Sequence, residues 1–247
     1  IFTLPMLPGV GPGPQRAAMR RPSTWLSICL LTALLCSCSA PQTEEAPPHR
    51  FADLFVRYLE GEKELKAYAS FYEGDTLRTA TPIAINGGVQ FIGKAMEKRT
   101  LPEFGIRYTA THTGNYRDQF GFTHAGREGH LEEYLLSMTP VDSFAFEGPP
   151  SKQRGATLTV ENGTLEAGET LVLFFSGPDN KAYTIDIEGP SAGAAYPLAP
   201  DQLRDMPTGP LQLYLVKKRS TVEKGPAITV SKAMEYYTRA IDFVLEP

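Results

Sequence analysis

Disulfide bonds are the first thing this chain does without. Its three cysteines are Cys29, Cys36 and Cys38, so nothing beyond Cys38 can pair internally. Stability beyond that point has to come from packed cores rather than from cross-links. Tryptophan is nearly absent too, the one example being Trp25. No apolar run after Leu35 approaches the roughly 20 residues that a membrane-spanning helix needs. Phosphate-cradling loops of the Gly-rich types are missing, and no Gly-x-Ser-x-Gly nucleophile elbow is expected. Basic character is also scarce. Taking Arg16, Arg20 and Arg21 from the 24 basic residues leaves 21 from Cys38 onward, against 28 acidic ones, a net charge of −7. An acidic surface repels nucleic acid and anionic head groups, so neither is an expected partner.

What is present begins at Met19. Arg20 and Arg21 form a short positive region, and Trp25–Leu35 is an apolar run of eleven residues interrupted only by Ser27 and Thr32. That length suits the hydrophobic part of a signal peptide and is too short to span a bilayer. The run ends in Leu35-Cys36-Ser37-Cys38, with an aliphatic residue at −3, a small one at −1 and cysteine at +1. Cys36 fits the +1 place less well, since Leu35 would then stand where a small residue is wanted. An ordinary signal peptide cut near Ala40 leaves the cysteine placement unexplained. The motif resembles the lipobox of bacterial lipoproteins. The resemblance implies a diacylglyceryl thioether on Cys38, cleavage before it, acylation of the new amino terminus, and attachment to the cell envelope. Ser39 at +2 is similar to lipoproteins sent to the outer membrane, and Gln42–Glu45 to the acidic surface-export signal of some Gram-negative lipoproteins.

Five segments are expected in order. Residues 1–18 are upstream sequence or a misassigned extension, 19–37 the signal peptide, and 38–50, rich in proline, a tether. Residues 51–148 and 156–247 are expected to be two consecutive antiparallel β-sandwich-like domains, the second Ig-like, joined by Glu147–Gly155. The basis is period-2 alternation: Leu65, Ala67, Ala69 and Phe71; Ile106, Tyr108 and Ala110; Phe120, Phe122 and His124; Tyr183, Ile185 and Ile187; Leu211, Leu213 and Leu215. Turn residues separate the runs, as at Asn86-Gly87-Gly88 and Asn162-Gly163. Phe51, Leu54, Phe55, Tyr58 and Leu59 instead have helical spacing, which leaves helix and strand both open for that segment.

Candidate chemistry is thin. His124 and His130 flank Ala125–Gly129 near Asp118 and Glu132, and suggest either a loop-borne acid–base or metal cluster or a hairpin whose polar residues face water. Their six-residue spacing matches no zinc motif, and the second reading is preferred. No cofactor is expected, and no catalytic or metal-binding residue is assigned. Tyr116, Tyr134, Tyr196, Tyr214, Tyr236 and Tyr237 are candidates for sugar stacking, with core packing the stronger expectation. Lys217-Lys218-Arg219 reads as a solvated strand end. The expected function is therefore a lipid-anchored, non-catalytic module binding a protein or glycan. An envelope hydrolase or metal-dependent enzyme using the His124/His130 region is one alternative, and a structural subunit of an outer-membrane assembly another. A fatty-acid analogue fed to producing cells should label the protein, and Cys38→Ser should remove the label; labelling that survives would refute lipidation at this residue.

Overall fold

The computed structural model describes residues 47–247, apart from 103–104 and 179–180. The signal segment, Cys38 and the tether up to residue 46 lie outside the described residues. The chain is mainly β, and residues 47–247 form one compact unit. In order the strands are β1 (Arg50–Leu59), β2 (Glu64–Glu73), β3 (Thr81–Pro82), β4 (Val89–Phe91), β5 (Lys94–Ala95) and β6 (Glu97–Leu101). There follow β7 (Gly105–Thr113), β8 (Gln119–Ala125), β9 (Leu131–Ser137), β10 (Phe144–Phe146), β11 (Ala156–Val160) and β12 (Glu169–Ser176). The last are β13 (Ala182–Glu188), β14 (Ala195–Leu198), β15 (Gly209–Lys224), β16 (Ile228–Tyr237) and β17 (Ile241–Leu245), with one helical turn, α1 (Pro200–Leu203), before β15.

A main sheet of ten strands carries the path β13-β12-β15-β16-β1-β2-β7-β6, with β17 beside β15 and β3 beside β2. Two smaller sheets, β5-β4-β8-β9 and β10-β11-β14, complete the fold. One contiguous core draws Leu54, Phe71, Leu173 and Leu213 from the main sheet, Phe91, Phe120 and Phe122 from the second, and Leu158 and Leu198 from the third. The alternating residues seen in the sequence supply these inward faces, as the period-2 geometry of a strand requires.

The structure corrects the expected division at 148–155. Strand β1 pairs in parallel with β16, from Arg50↔Ile228 to Leu59↔Tyr237, so one sheet runs through both halves. The supposed linker is tied down. Ser151 is buried and exchanges backbone hydrogen bonds with Gly155, Lys152 N donates to Glu246 O at 3.0 Å, and Glu246 N donates to Pro150 O at 2.8 Å. The tether is likewise shorter than expected. Arg50 belongs to β1, and the His49 carbonyl accepts from Gly74 N at 3.0 Å. The 51–59 segment is a strand, not a helix. Its apolar residues divide between both faces, with Ala52, Leu54, Val56 and Tyr58 buried and Phe55 on the other side, which is what imitated helical spacing.

Lys217 is the other correction. It lies in the middle of β15, on the same inward face as Leu211, Leu213 and Leu215, with a side chain 1% exposed. Its Nζ stands 3.2 Å from Glu169, which is equally buried, and donates to the Thr164 carbonyl at 3.3 Å. Glu169 also accepts the Glu166 N–H at 2.9 Å and lies 3.5 Å from Arg219. Only Lys218 faces outward as expected of a solvated residue. Removing one partner of such a pair strands a charge in the core. Lys217→Met should therefore destabilise by about 3–5 kcal/mol, and Lys217→Met with Glu169→Leu should recover most of that; chemical denaturation of both variants is the check.

Candidate functional site

The two histidines part company in the structure. Strands β8 and β9 form a hairpin in which His124 lies opposite Glu132. His124 shares its face with Phe120 and Phe122, as the alternation predicts, and its side chain is 0% exposed. Its ring meets Phe71 edge-on, centroids 4.8 Å apart. Nδ1 lies 3.0 Å from the Ala125 carbonyl, and Nε2 faces Glu132 at 3.6 Å without a hydrogen bond. That carboxylate accepts instead from the Tyr134 hydroxyl at 2.5 Å, and burial followed by this bond pushes the phenol well above its ordinary range. His130, beyond the turn, is 85% exposed with Glu128 at 3.9 Å. A sealed imidazole touches no substrate, and the exposed one faces a single carboxylate. Among the described residues no three His, Cys, Asp or Glu side chains converge as a metal would need.

The expectation that the chain lacks a Gly-x-Ser-x-Gly spacing is incorrect. Gly189-Pro190-Ser191-Ala192-Gly193 has the Gly-x-Ser-x-Gly spacing of a hydrolase nucleophile elbow. That elbow joins a strand to a helix, whereas this segment joins strands β13 and β14. Ser191 Oγ accepts the Leu165 N–H at 2.9 Å and donates to the Gly193 carbonyl at 2.9 Å. A side chain at Gly189 would strike the Glu166 carbonyl at 2.2 Å. The motif therefore brackets the 163–169 loop beneath it.

The tyrosines sort by face. Tyr196 and Tyr236 are buried, and Tyr116, packed against the core, stacks edge-on against Tyr58 and Tyr236. Tyr134 sits half-buried in the second sheet. Tyr214 and Tyr237 are on the outward face of the main sheet, alternating with the buried residues of β15 and β16. They belong to a continuous stripe. Phe174 stacks on Tyr214 at 4.7 Å, Tyr214 on Tyr237 at 6.4 Å, and the Arg57 guanidinium lies 5.2 Å over Tyr237. Arg57 is also 5.4 Å from the Phe55 ring, Phe55 stacks on Tyr68 at 5.7 Å, and Arg107 lies 5.7 Å over Tyr68. Six adjacent strands, β12, β15, β16, β1, β2 and β7, contribute to it.

Electrostatics fix the middle of this stripe. Arg57 Nε and Nη2 donate to Glu235 Oε2 at 3.0 and 2.8 Å, and the Tyr237 hydroxyl donates to the same atom at 3.0 Å. Burial, then that carboxylate, raise the Tyr237 phenol to about 12, so it remains a protonated donor at neutral pH. Beside Tyr214 and Tyr237 the surface dips into a depression of about 340 Å³ bounded by Leu59, Glu60, Gly61 and Arg239. Stacked aromatics and guanidinium groups are the chemistry of a recognition surface, since they present rigid area with polar tips. Its signals in the sequence were Tyr214 and Tyr237, named as stacking candidates, and the second apolar set of 51–59.

No protein-family model matches this sequence, and no curated protein matches it. The contrast between the two histidines is directly measurable. His124→Ala should cost about 2 kcal/mol or more as a buried ring is truncated against Phe71, while His130→Ala should stay within about ±0.5 kcal/mol. Equal effects in urea unfolding would contradict the placement of His124.

Proposed function

We propose that this protein is a lipid-anchored, non-catalytic binding module of the cell envelope whose outward sheet face receives a protein partner. The lipobox-like motif at Cys38 supplies the attachment, with the outer membrane as its expected site. The observation that carries the binding reading is the six-strand stripe of aromatic and arginine side chains. A protein fits it better than a glycan for a geometric reason. Sugar rings stack on free aromatic faces, but here the faces are occupied. Phe174 and Tyr214, at 4.7 Å with planes 23° apart, are closer than coplanar rings can lie side by side. Arg57 covers Tyr237. Ring edges, the Tyr hydroxyls and the guanidinium groups are what meet the solvent, and Tyr and Arg are the residues over-represented where protein partners are held most tightly.

In this reading residues 156–247 keep an Ig-like two-layer form, with the larger layer extended by strands from the first half rather than separated from it. A structural role in an outer-membrane assembly draws on a different feature, the ends of the main sheet path at β13 and β6, where a strand can be added.

A photoreactive residue at position 68 of the full-length protein in its envelope should trap a protein. The same residue at position 131, on the second sheet where Leu131 is 75% exposed, should trap none. Arg57→Ala and Tyr237→Ala should each weaken the captured interaction at least tenfold, as expected of central anchors. Capture from position 131 with silence from position 68 would reject this face.

A further inference from the structure

We propose that the cavity between the end of β7 and the turn joining β4 to β5 binds a small carboxylic acid, its carboxylate held by Arg117 and His112 and its apolar tail against Leu65 and Ile92. The cavity measures about 240 Å³, below the roughly 300–1,000 Å³ of pockets that take drug-sized ligands. Leu65 and His112 are partners across β2 and β7, on the face opposite to that of Lys66 and Thr111. They therefore point away from the aromatic stripe, and the site does not depend on it. Ile92 comes from the β4–β5 turn of the second sheet, and residues 113–117 form the remaining wall.

Charge is what selects the ligand. The chain as a whole is acidic, and the depressions beside Leu135, Tyr214, Ser176 and Gly126 each have Asp or Glu in the wall. The wall here has Arg117 and His112 and no carboxylate. Among the described residues Arg117 has no ion-pair partner. Burial first, and then the cations of Lys94 and Arg117, hold the His112 imidazole below its ordinary range, so it is neutral at neutral pH. The ring stacks on Phe91, centroids 6.0 Å apart, and its Nε2 is sealed in without a hydrogen-bond partner. Keeping the proton on Nδ1, the nitrogen that is not sealed, avoids burying an unpaired N–H. The neutral ring is then a donor to whatever acceptor enters.

The wall is held in place by the fold itself. Gly114 N donates to the Lys63 carbonyl at 2.9 Å, and the Gly114 carbonyl accepts from the Tyr58 hydroxyl at 3.1 Å. The Tyr116 hydroxyl donates to the Met138 carbonyl at 2.6 Å, and Ile92 N to the Gly121 carbonyl at 2.8 Å. Arg117 follows directly on this anchored backbone. A guanidinium matches a planar carboxylate with two parallel hydrogen bonds. With Arg117 as its one full positive charge, the wall balances a carboxylate and falls short of a phosphate dianion. The second charge of a phosphate would be unmet beside Leu65 and Ile92.

The test is nuclear magnetic resonance of the full chain in neutral detergent, isotopically labelled at histidine. The ring signal absent from His112→Gln identifies His112. Isovalerate should shift that signal saturably, while isovaleramide, of the same shape without the charge, should leave it unmoved. Inorganic phosphate should bind more weakly than isovalerate. Arg117→Ala should weaken isovalerate at least tenfold, the loss expected of charge-assisted hydrogen bonds, with the signals of His49, His124 and His130 unchanged as evidence of folding. The comparison of acid with amide needs no variant and decides alone if Arg117→Ala does not fold. An equal response to the amide, no response to the acid, or unchanged affinity in folded Arg117→Ala would overturn the site. Tighter binding of phosphate would overturn the assignment to a carboxylate.

Discussion

The pairing of β1 with β16 is the constraint on which the rest of the molecule depends. It joins residues 50–59 to residues 228–237 in parallel, and a parallel pair cannot be made by a hairpin. Almost the whole chain has to be folded between them. Closing so long a loop carries an entropic cost that grows only slowly with length, and there is no disulfide to share it. The compensation is burial on one side, where Leu54, Val56, Val230 and Met234 enter the core. On the other side the same pairing sets Arg57 beside Glu235 and brings Tyr237 under the guanidinium. Core and outer stripe are thus two consequences of one register.

That dual role explains which parts of the fold were legible. Strands with one polar face, such as Tyr183–Ile187 and Phe120–His124, announce themselves by alternation. Strand β1 does not, because Phe55 is apolar and outward while Leu54 and Val56 are apolar and inward. A strand working on both faces has no clean period of two, and five of its residues fall on a helical spacing by coincidence. Lys217 was illegible for the opposite reason. A lysine in a basic run looks solvated, and only the pairing of β12 with β15, which sets Leu171 opposite Lys217 and carries Glu169 alongside, shows that a carboxylate waits for it. The 148–155 segment has linker composition, yet its hydrogen bonds go to Glu246 and Pro247, nearly a hundred residues away, which no local pattern reports.

The candidate site follows the same logic. His124 was correctly placed on the face of Phe120 and Phe122, and that placement is what removes it from chemistry, since the face is the core. Ser191 has the spacing of a nucleophile and the surroundings of a loop bracket. For His124 residue type suggested reactivity and burial withdrew it; for Ser191 the spacing went unrecognised, and its strand-to-strand setting gives it a bracing role instead. Tyr214 and Tyr237 went the other way, from expected packing residues to the outward stripe, because tyrosine is equally at home on either face of a sheet.

The two ion pairs of the main sheet show how differently a charge pair acts on its two faces. Lys217 and Glu169 are sealed inward between β12 and β15, and their remaining polar atoms are met by Thr164 and Glu166. Arg57 and Glu235 are partly solvated, with the guanidinium side chain 38% exposed, so within one chain the pair contributes little to stability. What it does instead is orient. Bound by two nitrogens to one carboxylate oxygen, the guanidinium lies across both Tyr237 and Phe55 and joins the two halves of the stripe into one surface. A weak pair with a fixed geometry is well suited to recognition, because its unused hydrogen-bonding capacity and its exposed edge are available to whatever is brought against it.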